Sequence, residues 1–300
     1  MTLTPTNDVG GPLLVNFTFS ASTIGLKIFQ TSGYRMNDPS TENINQPLTE
    51  EQVIENLRQT EDLSDQYYAA WWVGRMRSRH PETLPLLLAA LQPLHCNPIN
   101  NERRAVALNA IRALGILQEG SAEKDLRSLL KKNDYSIREE SARSLGMIKA
   151  KAAVPDLCEL LSGDPDEAEQ LQSGSSKLKE PYESVLEALG AIGVASCSVI
   201  SMIKPFTKHS RPLIRASAGR ALLLLTGNPT WAPPLIELLQ HHDPLIRRGV
   251  LLDLGATGWM PALPAIQAAA IENSLKLVAL RGLAEKSEDP SVLDAMDALL

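Results

Sequence analysis

Ile137-Arg138-Glu139-Glu140-Ser141-Ala142-Arg143-Ser144-Leu145-Gly146 returns as Ile214-Arg215-Ala216-Ser217-Ala218-Gly219-Arg220-Ala221-Leu222-Leu223. It returns again from Ile246-Arg247-Arg248 to Asp253-Leu254-Gly255. Weaker copies end at Val73-Gly74, Leu114-Gly115 and Leu189-Gly190, and a last one starts at Leu275. The anchors at 74, 115, 146, 190, 223 and 255 are 31 to 44 residues apart, which is the length of one helix–turn–helix unit. Small residues at Ala142, Ala218 and Gly249 let neighbouring helices approach, and Ile137, Leu145, Leu222 and Leu254 fill the seam. Pro155, Pro233, Pro234 and Pro264 fit the first turn of a partner helix, where a missing N–H costs nothing.

The expected fold is therefore all-α: a solenoid of HEAT-like repeats, a right-handed superhelix with a concave groove. Thr49 and Gln52 read as a capping box that opens the first helix. We expect the solenoid over residues 46–300, with a polar insertion at about 163–181 that loops out. Residues 1–45 show no helical period and are expected to be poorly structured. Residues 1–35 hold apolar side chains with no repeat to join, so translation is expected to start at Met36.

Composition removes several functional classes. Hydrophobic residues make up 44% of the chain and aromatic ones only 4%, so Ala and Leu supply the core. A formal net charge of -6 argues against nucleic acid as a partner. No run of eighteen apolar residues is present, so no membrane span is expected. Three cysteines without a CxxC pair suit a reducing, cytoplasmic setting and buried thiols. No catalytic or phosphate-loop motif occurs, and no Cys/His spacing fits a metal. His241-His242-Asp243 reads as a turn, and Leu94-His95-Cys96 as a loop.

The segment Tyr67-Tyr68-Ala69-Ala70-Trp71-Trp72-Val73-Gly74-Arg75 holds four of the nine Tyr and Trp residues. On a helix, Tyr67, Tyr68, Trp71, Trp72, Arg75 and Arg79 share an arc of about 140°. Ala69, Ala70, Val73, Gly74 and Met76 fall on the other side. The rings suit a stacking platform for a flat conjugated ligand, or a cap over the first helix pair. In the repeat register Trp71 maps onto Arg112, Arg143, Glu187, Arg220 and Arg281, and Trp72 maps onto Asp253. These positions describe either alternating surface charge or a groove with rings at one end and a ladder of guanidiniums suited to carboxylates. Asp253, a lone carboxylate between two leucines, would suit cationic pyrrole N–H groups.

With these residues in place, the chain resembles the E subunit of the heterodimeric phycobilin lyases. The resemblance rests on residues 67–75, Pro181-Tyr182-Glu183 with Glu187 to Gly190, the turn from Asp253 to Trp259, and Glu272 to Leu277. It implies a homologous F-type partner subunit and a bilin, usually phycocyanobilin, as substrate, with no separate cofactor. It also implies a carbon–sulfur lyase that adds a cysteine thiol of the phycocyanin alpha subunit across the ethylidene of ring A, active only with its partner. Asp253 is the expected catalytic residue; Tyr67, Tyr68, Trp71, Trp72, Arg75, Arg112, Arg143, Glu187, Arg220 and Trp259 are the expected ligand-binding set. Asn97 to Arg104 and Asp164 to Lys179 depart from the family pattern, leaving pigment and acceptor open. A non-enzymatic HEAT scaffold and an isomerising lyase are the rival readings. The final stretch, Val292 to Leu300, is apolar enough to expect burial against the partner.

Overall fold

The computed structural model describes residues 47–300, apart from 97, 99 and 164–166. The expectations for residues 1–45 and for Met36 lie outside the described residues. Fifteen α-helices follow one another among the described residues: α1 (Glu50–Arg58), α2 (Leu63–Arg75), α3 (Thr83–Leu91), α4 (Asn101–Ile116), α5 (Glu123–Leu129), α6 (Tyr135–Met147), α7 (Val154–Leu160), α8 (Tyr182–Ile192), α9 (Cys197–Ile203), α10 (Pro212–Thr226), α11 (Pro233–Leu238), α12 (Pro244–Thr257), α13 (Leu263–Ala268), α14 (Asn273–Ala284) and α15 (Ser291–Asp297). Thr49 caps α1 by the expected box: its Oγ1 accepts from Gln52 N at 3.3 Å, and Gln52 Oε1 accepts from Thr49 N at 2.9 Å. Pro155, Pro233 and Pro264 occupy first-turn positions of α7, α11 and α13.

The even-numbered helices stack directly on one another from α2 to α14, and each odd-numbered helix packs on the even helix of its own pair. Glycine sets how closely the even helices stack. A methyl at Gly74, Gly146 or Gly190 would meet the Cα of Ala113, Ala188 or Ala221 at 2.9 Å, and one at Gly255 would meet Ala279 Cα at 2.5 Å. Backbones in that row therefore touch, while most odd helices meet chiefly their own partners and α11 packs between α10 and α12. This inequality curves the stack, with the even helices on its inner side.

Hydrogen bonds fix the turns. Arg138, Arg215 and Arg247 each donate from Nη1 to the carbonyl six residues earlier: Lys132 at 2.7 Å, His209 at 2.8 Å and His241 at 2.8 Å. Each even helix from α2 to α12 ends in a left-handed residue: Arg77, Gln118, Lys149, Gly193, Gly227 and Gly258. The core forms two clusters, one from Val53 to Leu225 and one from Ala216 to Ala295.

The insertion carries no α-helix among its described residues, and part of it folds back as a short antiparallel pairing of Leu171 with Leu178. Arg138 grips Glu180 at 2.9 Å and the Lys179 carbonyl at 2.8 Å, Arg211 holds the Ser176 carbonyl at 3.1 Å, and Lys177 lies 4.4 Å above the Tyr135 ring. The thiols are not all buried: Cys96 and Cys197 are exposed and only Cys158 is half-buried. The final helix buries Val292 and Ala295 within the chain and leaves Leu293 and Leu300 exposed.

Candidate functional site

On the inner row, the even helices from α4 to α12 are each flanked by two others, whereas α2, first in the row, has α4 on one side and α1 behind it, so more of its surface meets solvent. The solvent-facing stripe of α2 is aromatic: Tyr67, Tyr68 and Trp71 are 45%, 45% and 46% exposed. Tyr68 and Trp71 sit one turn apart, centroids 5.4 Å apart and planes tilted by 38°. Asp62 caps the helix, accepting from Ser64 N at 2.8 Å, and Ala69, Ala70, Val73 and Gly74 are buried behind the rings. Large exposed rings cost free energy unless something covers them.

The arc is narrower than the sequence suggests. Trp72 is half-buried and packs against the first core cluster. The helix stops at Arg75, so Arg79 leaves the stripe and pairs with Glu119 at 3.4 Å. Met76, expected on the packing side, caps the helix and is 60% exposed.

Beyond α2 the stripe is charged and paired. Asn109 donates to the Tyr67 carbonyl at 3.1 Å and accepts from Arg112 at 3.2 Å, and Arg112 also donates to Glu140 at 2.7 Å. Arg143 bonds Glu139 at 3.1 Å and lies 3.5 Å from Glu140. Arg220 donates to Asp253 at 2.8 Å and lies 4.0 Å from Glu187. Burial works against the Arg220 charge, but Asp253 and Glu187 outweigh it and raise the pKa. Burial pushes Asp253 up to about 7, Arg220 opposing and Glu187 adding. Burial also raises Glu139. The guanidinium ladder exists, then, but carboxylates of the same or adjacent helices already neutralise it. Asn109, Glu139 and Glu140 were missed; Glu139 and Glu140 were visible as i−4 and i−3 neighbours of Arg143.

The expected set is spread along the row. From α2 to α12 there are five helix-to-helix steps of roughly 8–10 Å, or about 40–50 Å along the row. Tyr68 on α2 and Asp253 on α12 are therefore five helix steps apart along the row. Trp259 leaves the row: it follows Gly258, whose φ of 70° closes α12, and packs half-buried on the second core cluster. His241 and His242 lie in the turn before α12, ring centroids 4.2 Å apart.

Fold and stripe together define a HEAT-repeat protein with an aromatic and charged inner face. Residues 96–174 and 199–284 match HEAT repeats, and residues 65–93 match the PBS lyase HEAT-like repeat. The chain is 85% identical over 265 residues to the bilin biosynthesis protein RpcE of Synechococcus sp. (strain WH8020), covering 88% of this chain and 100% of that protein. It is 41% identical over 254 residues to the phycocyanobilin lyase subunit alpha of Nostoc sp. (strain PCC 7120), covering 83% and 90% of the two chains. The solved complex of CpcE and CpcF of phycocyanin lyase from Nostoc sp. PCC7120 matches with a TM-score of 0.75 at 37% identity, over 89% of this chain and 100% of that one. The chain belongs to the family of phycocyanobilin lyase alpha subunits. No helix among the described residues is long and apolar enough to cross a membrane.

Proposed function

We propose that this chain is the alpha-type subunit of a bilin lyase, acting in the cytoplasm with an F-type partner. It takes a linear tetrapyrrole, phycocyanobilin foremost, as substrate, and no separate cofactor. The pair joins the pigment to a cysteine of the phycocyanin alpha subunit. The acceptor thiol adds across the ring A ethylidene, so a C–S bond forms, the sulfur's proton ends on carbon, and no oxidant is needed. The carrying observation is the exposed Tyr67–Tyr68–Trp71 face, which gives a conjugated ring system a floor. With the pigment there, the charged groups within reach are Arg75, Arg112 and Arg143; Asp253 lies several helices away and its expected catalytic part is not needed for this pose. The protein's contribution is then positioning of the pigment while the thiol adds.

Mixing the purified chain and its F-type partner with phycocyanobilin and phycocyanin alpha subunit tests this. The expected result is a changed pigment spectrum with this chain and a pigment–protein adduct that survives denaturation. A scaffold without pigment chemistry leaves the spectrum as it was, which sinks the reading.

A further inference from the structure

A second feature lies at the far end of the solenoid from the aromatic face. Between the N-terminal ends of α12 and α14 is a cavity of about 500 Å³, lined by Arg247, Arg248, Ala270, Ile271, Glu272 and Lys276 among others. Lys276 is 9% exposed, and its Nζ donates to the Gln267 carbonyl at 2.7 Å. Among the described residues this ammonium forms no ion pair, and one hydrogen bond meets only one of its three donors. A buried cation without a carboxylate is costly. Arg247 spends Nη1 on the His241 and His242 carbonyls at 2.8 and 3.0 Å, while its Nε is shut off from solvent with no hydrogen-bond partner. Arg248 closes the wall through its ion pair with Glu272, the one carboxylate of the lining. The first turn of α14 starts without a side-chain cap, and its positive end belongs to the same wall.

We propose that this pocket binds a small organic or inorganic anion carrying about two negative charges, such as a phosphate or a dicarboxylate. Three cations face one carboxylate, so the lining leaves two positive charges in a chain whose formal net charge is -6. The cavity is within the range of small-ligand sites and larger than a lone ion needs. It lies too far along the row for the acid side chains of a pigment seated on α2, so the anion is a separate ligand. Lys276 supplies the buried charge, the Arg247 guanidinium a second positive charge in the wall, and Arg248 a gate that yields Glu272 for the ligand.

The test follows thermal unfolding of the full chain while inorganic phosphate or succinate is titrated at constant ionic strength. Binding to the folded state raises Tm with the logarithm of ligand concentration. Phosphate or succinate should raise Tm and chloride should not; whichever of the two acts at lower concentration identifies the class. Lys276→Met should fold, its apolar stem filling the same space, and bind roughly tenfold or more weakly. Arg247→Lys, which keeps the charge, should weaken binding less. Equal effects of all three salts, or an unchanged response in Lys276→Met, overturn the proposal. Pigment binding on α2 is read separately by absorbance, so its failure leaves this result standing.

Discussion

Trp71 and Trp72 are neighbours in the chain on opposite sides of a boundary. Trp71 is 46% exposed on the inner stripe, and Trp72 packs against the core. Trp71→Ala should therefore leave chemical denaturation almost unchanged and weaken phycocyanobilin binding by about 1–3 kcal/mol, the range for an aromatic stacked on a flat base. Trp72→Ala should do the reverse, costing about 3 kcal/mol of stability as a large core truncation. Equal binding losses with equal stabilities would refute the division. Asp253 carries a second consequence. Its carboxyl sits at about 7, against 3.8 ordinarily, so the folded state holds the proton more firmly than the unfolded one. A group raised on folding contributes stability that is complete below its unfolded value and is lost as pH rises through its folded value. Relative to Asp253→Asn, the native chain should lose stability between about pH 4 and pH 7. Urea denaturation of both proteins across that window reads the difference, and parallel curves would remove Asp253 from the account.

Among the elements, the even helices owe their spacing to glycine. Gly146→Ala drives a methyl to within 2.9 Å of Ala188 Cα and 3.2 Å of its Cβ, so α6 and α8 must part. Overpacking of this kind costs about 1–3 kcal/mol. Gly120→Ala, where a methyl meets nothing within 4 Å, should stay within about 0.5 kcal/mol of the native chain. Thermal unfolding of the two variants checks the contrast. These glycines were also what made the fold readable, because a residue that recurs for steric reasons leaves a period in the sequence. The prolines and the Thr49 box were readable for the same local reason. The folded-back insertion was not: its ties run from Arg138 to Glu180 and from Arg211 to Ser176, 42 and 35 residues apart. Nor were the partners of Arg112 and Arg220 readable, since a carboxylate on the next helix depends on the stagger between two stacked helices. Trp72 was misplaced because about 100° per residue puts adjacent rings on one arc without saying where the neighbouring helix cuts it.

Across the whole molecule, contacts run between neighbours, and the buried core divides near α10 into two clusters. A stack of this kind opens in blocks. Amide exchange should show the segment from α11 onward protected as a unit separate from α2 to α8, which peptide-resolved mass spectrometry can follow. One uniform level of protection from α2 to α14 would contradict the division. The touching backbones of the inner row have a mechanical consequence as well. That row has almost no slack, so the easy deformation is a spreading or gathering of the outer helices. The chain bends like a strap whose inner edge keeps its length. The exposed rings of α2 keep their spacing at every curvature, while the distance between the outer helices is what bending changes.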